Sequence, residues 1–459
     1  RWIPAVATRV PAGLREARAS LRGEVRVRRD TRHVEVALPV FSARASAGAL
    51  VGSLTFDGAQ GSSHAHLAVH GTLDPVALGA QEGLFRTREA PVQIDTDVTI
   101  EGARVALERT HLATRGLTFD GDAAVTRGSS RVRLRDARLA VEIEALRTLV
   151  TRVPEGLAGL SARCVLDAEL DRERPESGFV YARAIDLRAP SAQVRGEVRW
   201  DGLNPRGRVR FALDAPRIAL PERARDEDHD EPAGFNLPAW TRTIDASGTL
   251  RVGALVAGQR TFEQVDLDAT LAGGALALRR GRFRIGGGEV NADGSNVTFG
   301  DDDVTLHARV QTGWIRLEQV LTPEPGSTPA PRGRVVAEVS LDGSGRDPDA
   351  LRRSLRGRVG LLLHDVRVTP HARPRVRITN RLLARFANRP PDDRPPSEVH
   401  IAHAHALFDL ANERWTTVSP FLADTGFGAV SLRGQFNPGP HFALEGELEL
   451  DPAALQEMT

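Results

Sequence analysis

The chain has 459 residues, enough for about three ordinary domains or one long array of repeats. Its 61 basic residues are all arginine, because the sequence has no lysine, and they balance 60 acidic residues. The missing lysine excludes P-loop, kinase-type and Schiff-base sites, which all need a lysine amine. Balanced charge without a long basic run argues against nucleic acid as a partner.

Four further features of the sequence limit the fold and the chemistry. Cys164 is the single cysteine, so no internal disulfide forms, and one thiol cannot build a zinc-thiolate site. Aromatic residues make up only 5%, so apolar faces are expected to consist mainly of Val, Leu and Ala. The sequence has no run of about 18 apolar residues, the length that a membrane-spanning helix needs. Because the sequence begins with Arg1 rather than Met, we expect a longer protein with its anchor outside this chain.

The first feature along the chain is a duplicated segment. Residues 8–14 and 151–157 are nearly identical, and a second matched pair follows at residues 52–58 and 196–202. The spacing between the first and second segments is 52 − 8 = 44 positions in one copy and 196 − 151 = 45 in the other. This agreement indicates a repeated β-rich unit, and repeats of this kind pack mainly against their neighbours.

Strands are predicted wherever apolar and polar residues alternate, because successive side chains of a strand point to opposite faces. Clear examples are residues 209–213, 265–271, 304–310 and 442–450. One apolar and one polar face per strand is typical of antiparallel meanders, so the sequence predicts an all-β fold. The apolar sides of these four strands carry Val209, Phe211, Leu213, Val265, Leu267, Leu271, Val304, Leu306, Val310, Phe442, Leu444, Leu448 and Leu450.

Turns and short helices punctuate the strands. Asp-Gly pairs at 57–58, 201–202, 293–294 and 342–343 predict turns. Asp347 followed by Pro348 predicts the start of a short helix, because Asp caps a helix and Pro fits its first position. Two more short helices are predicted from helical spacing, one by Leu146, Leu149, Val150 and Val153, and one by Ile378, Leu382, Leu383 and Phe386.

Proline and charged residues concentrate in three segments, 223–231, 322–331 and 389–396. With the repeat, they suggest three units, 1–150, 151–330 and 331–459. The third unit opens with residues 331–339, which loosely repeat the strand that follows each copy of the first duplicated segment.

Two stretches carry a resemblance to a known family. Residues 248–296 contain Leu250, Val252 and Leu255, then alternating strands, and end on the run Gly286-Gly287-Gly288. Residues 346–434 contain Leu351, Leu355 and the pair Arg356-Gly357, then a strand over 359–363, a short helix, and the segments 408–410 and 432–434. Together they resemble the AsmA-like family of Gram-negative envelope proteins, which are similar to the eukaryotic bridge-like lipid transfer proteins.

The resemblance implies a long, twisted, mostly antiparallel sheet whose repeated units form an open apolar groove. Members of the family are implicated in phospholipid transport between the inner and outer membranes. By this resemblance the chain would be a periplasmic, non-enzymatic segment without a cofactor, anchored to the inner membrane by a segment that it lacks. Residues 331–459 would be the family's C-terminal region. The thirteen apolar residues named above would contact acyl chains.

The residues leave alternatives open. Alternating strands also suit a β-sandwich, in which each apolar face packs on a second sheet. The same sheet could assemble outer-membrane proteins by adding their strands to its edge, with those proteins as partners. A carbohydrate-active or adhesive sandwich protein is a third class.

Strand histidines are the best metal candidates in the sequence. His403 and His405 share a strand face, as do His64 and His66, and such a pair could supply two metal ligands. Neither pair has an acidic or Cys third ligand at useful spacing in the sequence, so no metal site is predicted.

Overall fold

The structure is a computed structural model, and it is almost entirely β-strand, with three short helices and one 3₁₀ turn in the residues described. An all-β, mostly antiparallel fold is therefore confirmed. The chain divides into two compact units, unit 1 (Arg1–Ala215) and unit 2 (Pro216–Thr459). The residues described are 18–28, 33–45, 48–59, 62–74, 91–126, 131–146, 159–171, 173–203, 207–220, 243–300, 303–321, 330–368, 399–425, 428–436 and 442–450.

Unit 1 is an antiparallel meander. Its strands are β1 (Arg18–Arg28), β2 (His33–Ala45), β3 (Gly48–Ala59), β4 (Ser62–Leu73), β5 (Val92–Glu101), β6 (Arg104–Thr114), β7 (Leu117–Thr126), β8 (Arg131–Glu142), β9 (Ser161–Asp171), β10 (Phe179–Ala189), β11 (Ala192–Asp201) and β12 (Arg208–Leu220), which crosses the unit boundary. Every strand from β1 to β10 pairs with the next one along the chain. Helix α1 (Ile143–Leu146) follows β8, and the 3₁₀ turn (Pro175–Ser177) precedes β10.

Unit 2 continues the antiparallel order. Its strands are β13 (Asp245–Ala257), β14 (Arg260–Ala272), β15 (Ala275–Ile285), β16 (Gly288–Asn291), β17 (Asn296–Phe299), β18 (Val304–Thr312), β19 (Ile315–Arg316), β20 (Arg332–Gly345), β21 (Arg356–Val368), β22 (Val399–Ala411), β23 (Arg414–Thr417), β24 (Phe421–Thr425), β25 (Gly428–Phe436) and β26 (Phe442–Leu450). The short β16 and β17 together fill one strand position between β15 and β18, as β23 and β24 do between β22 and β25. Two helices, α2 (Leu317–Val320) and α3 (Pro348–Ser354), flank β20.

Paired bulges confirm that the chain repeats. The β2–β3 register shifts between Leu38 and Phe41, and the β10–β11 register shifts between Ala182 and Ile185. The offsets are 182 − 38 = 144 and 185 − 41 = 144, equal to the 196 − 52 = 144 that separates the duplicated segments starting at Gly52 and Gly196. Because bulges are conserved features of a strand's geometry, an equal offset indicates one structural unit used twice.

The predicted boundaries at 150/151 and 330/331 do not interrupt strand pairing. Strand β8 pairs directly with β9, and β18 pairs directly with β20. The division between compact units falls instead at 215/216, within β12. The three-unit division remains a prediction from the sequence.

Bulges in unit 1 are capped by aspartates. Arg109 and Asp136, both with φ of 50°, adopt the left-handed backbone that non-glycine residues rarely take. The Arg109 backbone N–H donates to Oδ1 of Asp122 at 2.8 Å, and the Asp136 N–H donates to Oδ1 of Asp167 at 2.9 Å. In each case a carboxylate on the next strand satisfies an amide at the bulge, which stabilises the distorted backbone.

Acid is expected to weaken the capped bulge at Asp136. The Asp136 amide, and then the Arg183 guanidinium, hold the pKa of Asp167 below its usual value. A carboxylate with a lowered folded-state pKa stabilises the fold above its unfolded pKa of about 3.9, and this stabilisation is lost as pH falls through the folded pKa. Asp167→Ala should therefore lower the free energy of unfolding by about 1–2 kcal/mol at neutral pH.

Urea unfolding across a pH series measures this effect. The difference between wild type and Asp167→Ala should shrink as pH falls below about 4. Asp214→Ala removes an exposed carboxylate of the same unit and should show no such trend. A difference for Asp167→Ala that stays constant down to the lowest pH would contradict the role given to its charge.

Two of the predicted Asp-Gly turns are correct and two are wrong. Gly294 and Gly202 have φ of 80° and 73° and lie in a turn and a bend. Gly58 and Gly343, by contrast, lie inside β3 and β20. A Cβ at Gly343 would lie 2.9 Å from Leu355 and close to Leu351. The missing side chain therefore leaves room for these leucines beside β20, and no turn forms at this glycine.

The predicted helix start at Asp347 is confirmed. Oδ1 of Asp347 accepts the Ala350 backbone N–H at 2.7 Å, and Pro348 occupies the first turn. None of the helices in the described residues combines the length and apolar character needed to cross a membrane. Several predictions lie outside the described residues: the duplicated segments 8–14 and 151–157, the charged segment 223–231, the helices built on Leu149–Val153 and Ile378–Phe386, and the segment 389–396.

Candidate functional site

An uninterrupted apolar row crosses unit 1. Residues directly opposite one another in an antiparallel pair lie on the same face of the sheet, so the register identifies this row. It covers ten consecutive strands, about 43 Å at the usual strand spacing of roughly 4.8 Å. Its members are Leu38, Leu54, Leu67, Val98, Leu107, Ala123, Leu134, Ala168, Val180 and Trp200.

Strand β12 also has one apolar and one polar side. Val209, Phe211 and Leu213 are half-buried and alternate with the exposed Arg210. Nη2 of Arg210 pairs with Oδ2 of Asp201 at 2.6 Å, and Asp201 is one register position from Trp200, on the opposite face. The three predicted residues therefore lie on the apolar side of the sheet.

Unit 2 has an apolar face of the same kind, and the predicted residues of β14 and β18 map onto it. Val265 and Leu267 lie opposite Val252 and Leu250. Further apolar pairs on this face are Leu271 with Leu276, Val304 with Phe299, Leu306 with Val297, and Val310 with Val339. In β26 the register places Phe442, Leu444, Leu448 and Leu450 opposite Phe436, Gly434, Val430 and Gly428.

These faces lie on single-layered sheets. In the described part of the chain no large side chain falls below 2% exposure, and the apolar residues below 9% are mostly alanine and valine. Packing a second sheet on either face would bury leucine, phenylalanine and tryptophan fully, as protein interiors do. Instead Trp200 is 37% exposed and most leucines of the apolar faces are half-buried. The β-sandwich alternative is therefore wrong for the described residues.

A pair of threonines on the apolar face of unit 1, beside the apolar row, was not predicted. Thr96 and Thr110 lie on the apolar face of unit 1, each only 5% exposed. Their hydroxyl oxygens are 2.7 Å apart and form one hydrogen bond. Each hydroxyl thus satisfies the other, which avoids the penalty for an unpaired buried polar group. Sequence spacing gave no signal for this pair, because the two residues come from different strands.

The single cysteine lies on the same apolar face. Cys164 is opposite Leu139 in the β8–β9 pair and is half-buried. Burial raises the pKa of its thiol, so the reactive thiolate is scarce near neutral pH. Its neighbour Val165 lies opposite Arg138 and Arg183, on the polar face. Cys164 thus provides a natural reporter for occupancy of the apolar face.

The opposite faces of both units are polar and carry matched charges. In unit 1, Nε of Arg133 lies 3.0 Å from Oε2 of Glu169. In unit 2, Arg280 and Arg358 pair with Asp266 and Asp409 at 3.4 and 3.2 Å. Opposite charges across strands stabilise a sheet modestly. The alternation therefore separates a dry face from a charged, solvated one.

The histidine pairs lie on polar faces. His64 and His66 approach acids of β5, with Nδ1 of His64 3.6 Å from Oε1 of Glu101 and Nε2 of His66 3.9 Å from Oδ1 of Asp97. The sequence gave no hint of these neighbours, because they lie more than 30 positions further along the chain.

In unit 2, Nδ1 of His403 lies 3.1 Å from Nδ1 of His364, whereas His405 is opposite Leu362. No group of three potential metal ligands occurs within the described ranges.

The geometry thus presents two open apolar faces backed by charged ones. Comparison with protein-family models and with curated proteins finds no match to this chain.

Proposed function

We propose that the apolar faces of both units bind lipid acyl chains, and that the chain is part of an AsmA-like protein that moves phospholipid between membranes. The observation that carries this proposal is the apolar row across ten strands of unit 1, which is only half-buried. A soluble protein rarely leaves a large contiguous apolar patch open unless a ligand or partner covers it.

The chemistry of an acyl chain fits such a surface. Each methylene that leaves water contributes about 0.8 kcal/mol, without any need for directional contacts. On a continuous apolar face an acyl chain can move from one strand to the next while the same apolar area of the acyl chain stays buried. Small residues such as Ala123 and Ala168 leave room above the sheet, where larger side chains would fill it.

The cellular setting belongs to the same proposal. By resemblance to the AsmA-like family, the segment acts in the periplasm and is held at the inner membrane by a part of the protein outside this chain. It has no catalytic role, and its cargo is the acyl part of phospholipids. Capture of outer-membrane protein strands is the competing function. It uses strand edges rather than the apolar face, so the two are separable by experiment.

Alkylation of Cys164 tests acyl-chain binding on the protein as it exists. We expect oleate to slow the reaction of Cys164 with a neutral maleimide severalfold, because a bound chain covers the apolar face around the thiol. The rate is followed by mass spectrometry with and without oleate. An unstructured outer-membrane protein peptide should leave the rate unchanged.

A matched control moves the thiol by one position. In the double variant Cys164→Ala/Val165→Cys the new thiol lies on the polar face of β9. Oleate should leave its alkylation rate unchanged. Equal protection of both thiols, or of neither, would contradict binding at the apolar face. Protection of Cys164 by the peptide but not by oleate would favour the strand-capture function.

A further inference from the structure

A cluster of basic residues on the polar face of unit 2 differs from the paired Arg280 and Arg358 of the same unit. Across β19, β20 and β21, Arg316 lies opposite Arg334, and Arg334 lies opposite His364. Two residues earlier on β20, Arg332 lies opposite Arg367. Like charges directly opposite one another destabilise a sheet. Two neighbouring rows of basic residues therefore oppose folding unless something else compensates them.

These arginines surround one depression. Arg316, Arg332, Arg334 and Arg367 line a cavity of about 370 Å³, together with Glu318, His364 and Asp365. Gly333 forms part of its wall with φ of 132°, and a Cβ there would lie 2.6 Å from the Asp365 carbonyl oxygen. Only glycine fits between Arg332 and Arg334, so no side chain covers the backbone between these two arginines.

The acids near the cavity do not neutralise it. Glu318 accepts the Gly333 backbone N–H through Oε2 at 3.2 Å. Asp365 accepts from Nε2 of His400 at 2.7 Å and lies 3.7 Å from Nε of Arg367. Within the described residues, no ion pair joins Arg316, Arg332 or Arg334 to an acidic side chain. Four arginines against two carboxylates leave an excess of two positive charges, with the histidines counted as neutral.

A larger basic cavity in unit 1 shows the usual arrangement. It has a volume of about 900 Å³ and is also rich in arginine. There Arg131 and Arg133 pair with Asp171 and Glu169 at 3.2 and 3.0 Å, and Arg109 pairs with Asp97. Three of the five arginines of that cavity therefore have acidic partners, so an abundance of arginine alone does not explain the unit 2 cluster.

We infer that the unit 2 cavity binds a phosphoryl anion. Guanidinium groups donate paired hydrogen bonds that match the oxygens of a phosphate, and a phosphate monoester carries the charge that offsets the local excess. Its source is either the headgroup of an anionic lipid or a soluble phosphate compound. The cavity lies among polar-face residues, so this inference is independent of acyl-chain binding to the apolar face.

The test compares two double variants with the same change in net charge. Arg334→Gln/Arg367→Gln removes two arginines of the cavity. Arg251→Gln/Arg280→Gln removes two arginines of the same unit that approach Asp266 at 4.0 and 3.4 Å. The cavity variant should melt at the same or a higher temperature than wild type, because it relieves like-charge repulsion. It therefore remains folded for the binding measurements.

Two probes distinguish the sources of the phosphoryl group. Calorimetry with inorganic phosphate reports on a soluble ligand, and co-sedimentation with phosphatidylcholine vesicles, with and without phosphatidic acid, reports on a lipid headgroup. We expect at least one probe to bind the cavity variant about tenfold more weakly than wild type, with the control variant unchanged. Equal weakening in both double variants, or no binding of either probe to wild type, would overturn the inference.

Discussion

Leu267→Asp should leave unit 2 folded and weaken its binding of acyl chains by about tenfold. Leu267 lies on the apolar face between Leu250 and Gly281 and is half-buried. On an open face the new carboxylate keeps contact with water when no lipid is present. The free energy of unfolding should therefore fall by only about 1–2 kcal/mol, the value of a partly buried leucine.

Bound lipid changes that balance. A chain lying over residue 267 would desolvate the carboxylate, or leave about two methylenes without an apolar contact. Two methylenes are worth about 1.6 kcal/mol, which corresponds to roughly tenfold in affinity. Fluorescence of a conjugated fatty acid measures the binding, and urea unfolding measures the stability.

Leu422→Asp is the matched control for this experiment. Leu422 is 42% exposed and lies opposite His405 and Ser431 on the polar face of unit 2. The same chemical change there should alter neither the stability nor the acyl-chain affinity appreciably. If Leu267→Asp prevented folding, the apolar face would have to be covered by packed structure. If it folded and bound the fatty acid as wild type does, this face would not be the binding surface.

Thr110→Val should destabilise unit 1 by about 1–3 kcal/mol, although valine has almost the same shape as threonine. The change removes the partner of Thr96 and leaves a buried hydroxyl without its hydrogen bond. Replacing both partners together removes the unsatisfied group, so Thr96→Val/Thr110→Val should return to within about 1 kcal/mol of wild type. The double variant also replaces two hydroxyls of the apolar face by methyl groups, and we expect it to bind acyl chains more tightly.

A double-mutant cycle by urea unfolding measures the coupling between the two hydroxyls. Thr99→Val, on the same strand β5 but opposite His66 and Ala106, is the control and should have little effect. Additive losses in the two single variants would mean that each hydroxyl has another partner. A double variant with weaker acyl binding would mean that the hydroxyls assist the ligand.

Local pattern alone determined the class of fold and the sidedness of the strands. Period-2 alternation placed Val304, Leu306 and Val310 on one face, because the pleat of a strand sends alternate side chains to opposite sides. The cap at Asp347 was equally local, because the Asp347 carboxylate and the Ala350 amide that it binds lie within one helical turn. The duplicated segments also predicted a repeated unit, and the bulges of the β2–β3 and β10–β11 pairs recur at the same offset.

Only the tertiary structure decided what each face meets. Alternation is the same whether an apolar face packs on a second sheet or stays open, and the half-exposure of Leu267 shows itself only in the folded sheet, where no second layer covers it. The Asp-Gly pair at 342–343 predicted a turn, whereas Gly343 leaves room for leucines of the α3 region. That contact joins the strand to a helix that begins after the strand ends, so the local pair of residues could not show it.

Register between strands was equally out of reach of the sequence. The pairing of Thr96 with Thr110 and the meeting of Arg316, Arg334 and His364 depend on which residues lie opposite one another across strands. A shift of one position would send each of these side chains to the other face. Register is fixed by the hydrogen bonds and packing of the whole sheet, so chemistry that arises between strands becomes visible only in the folded chain.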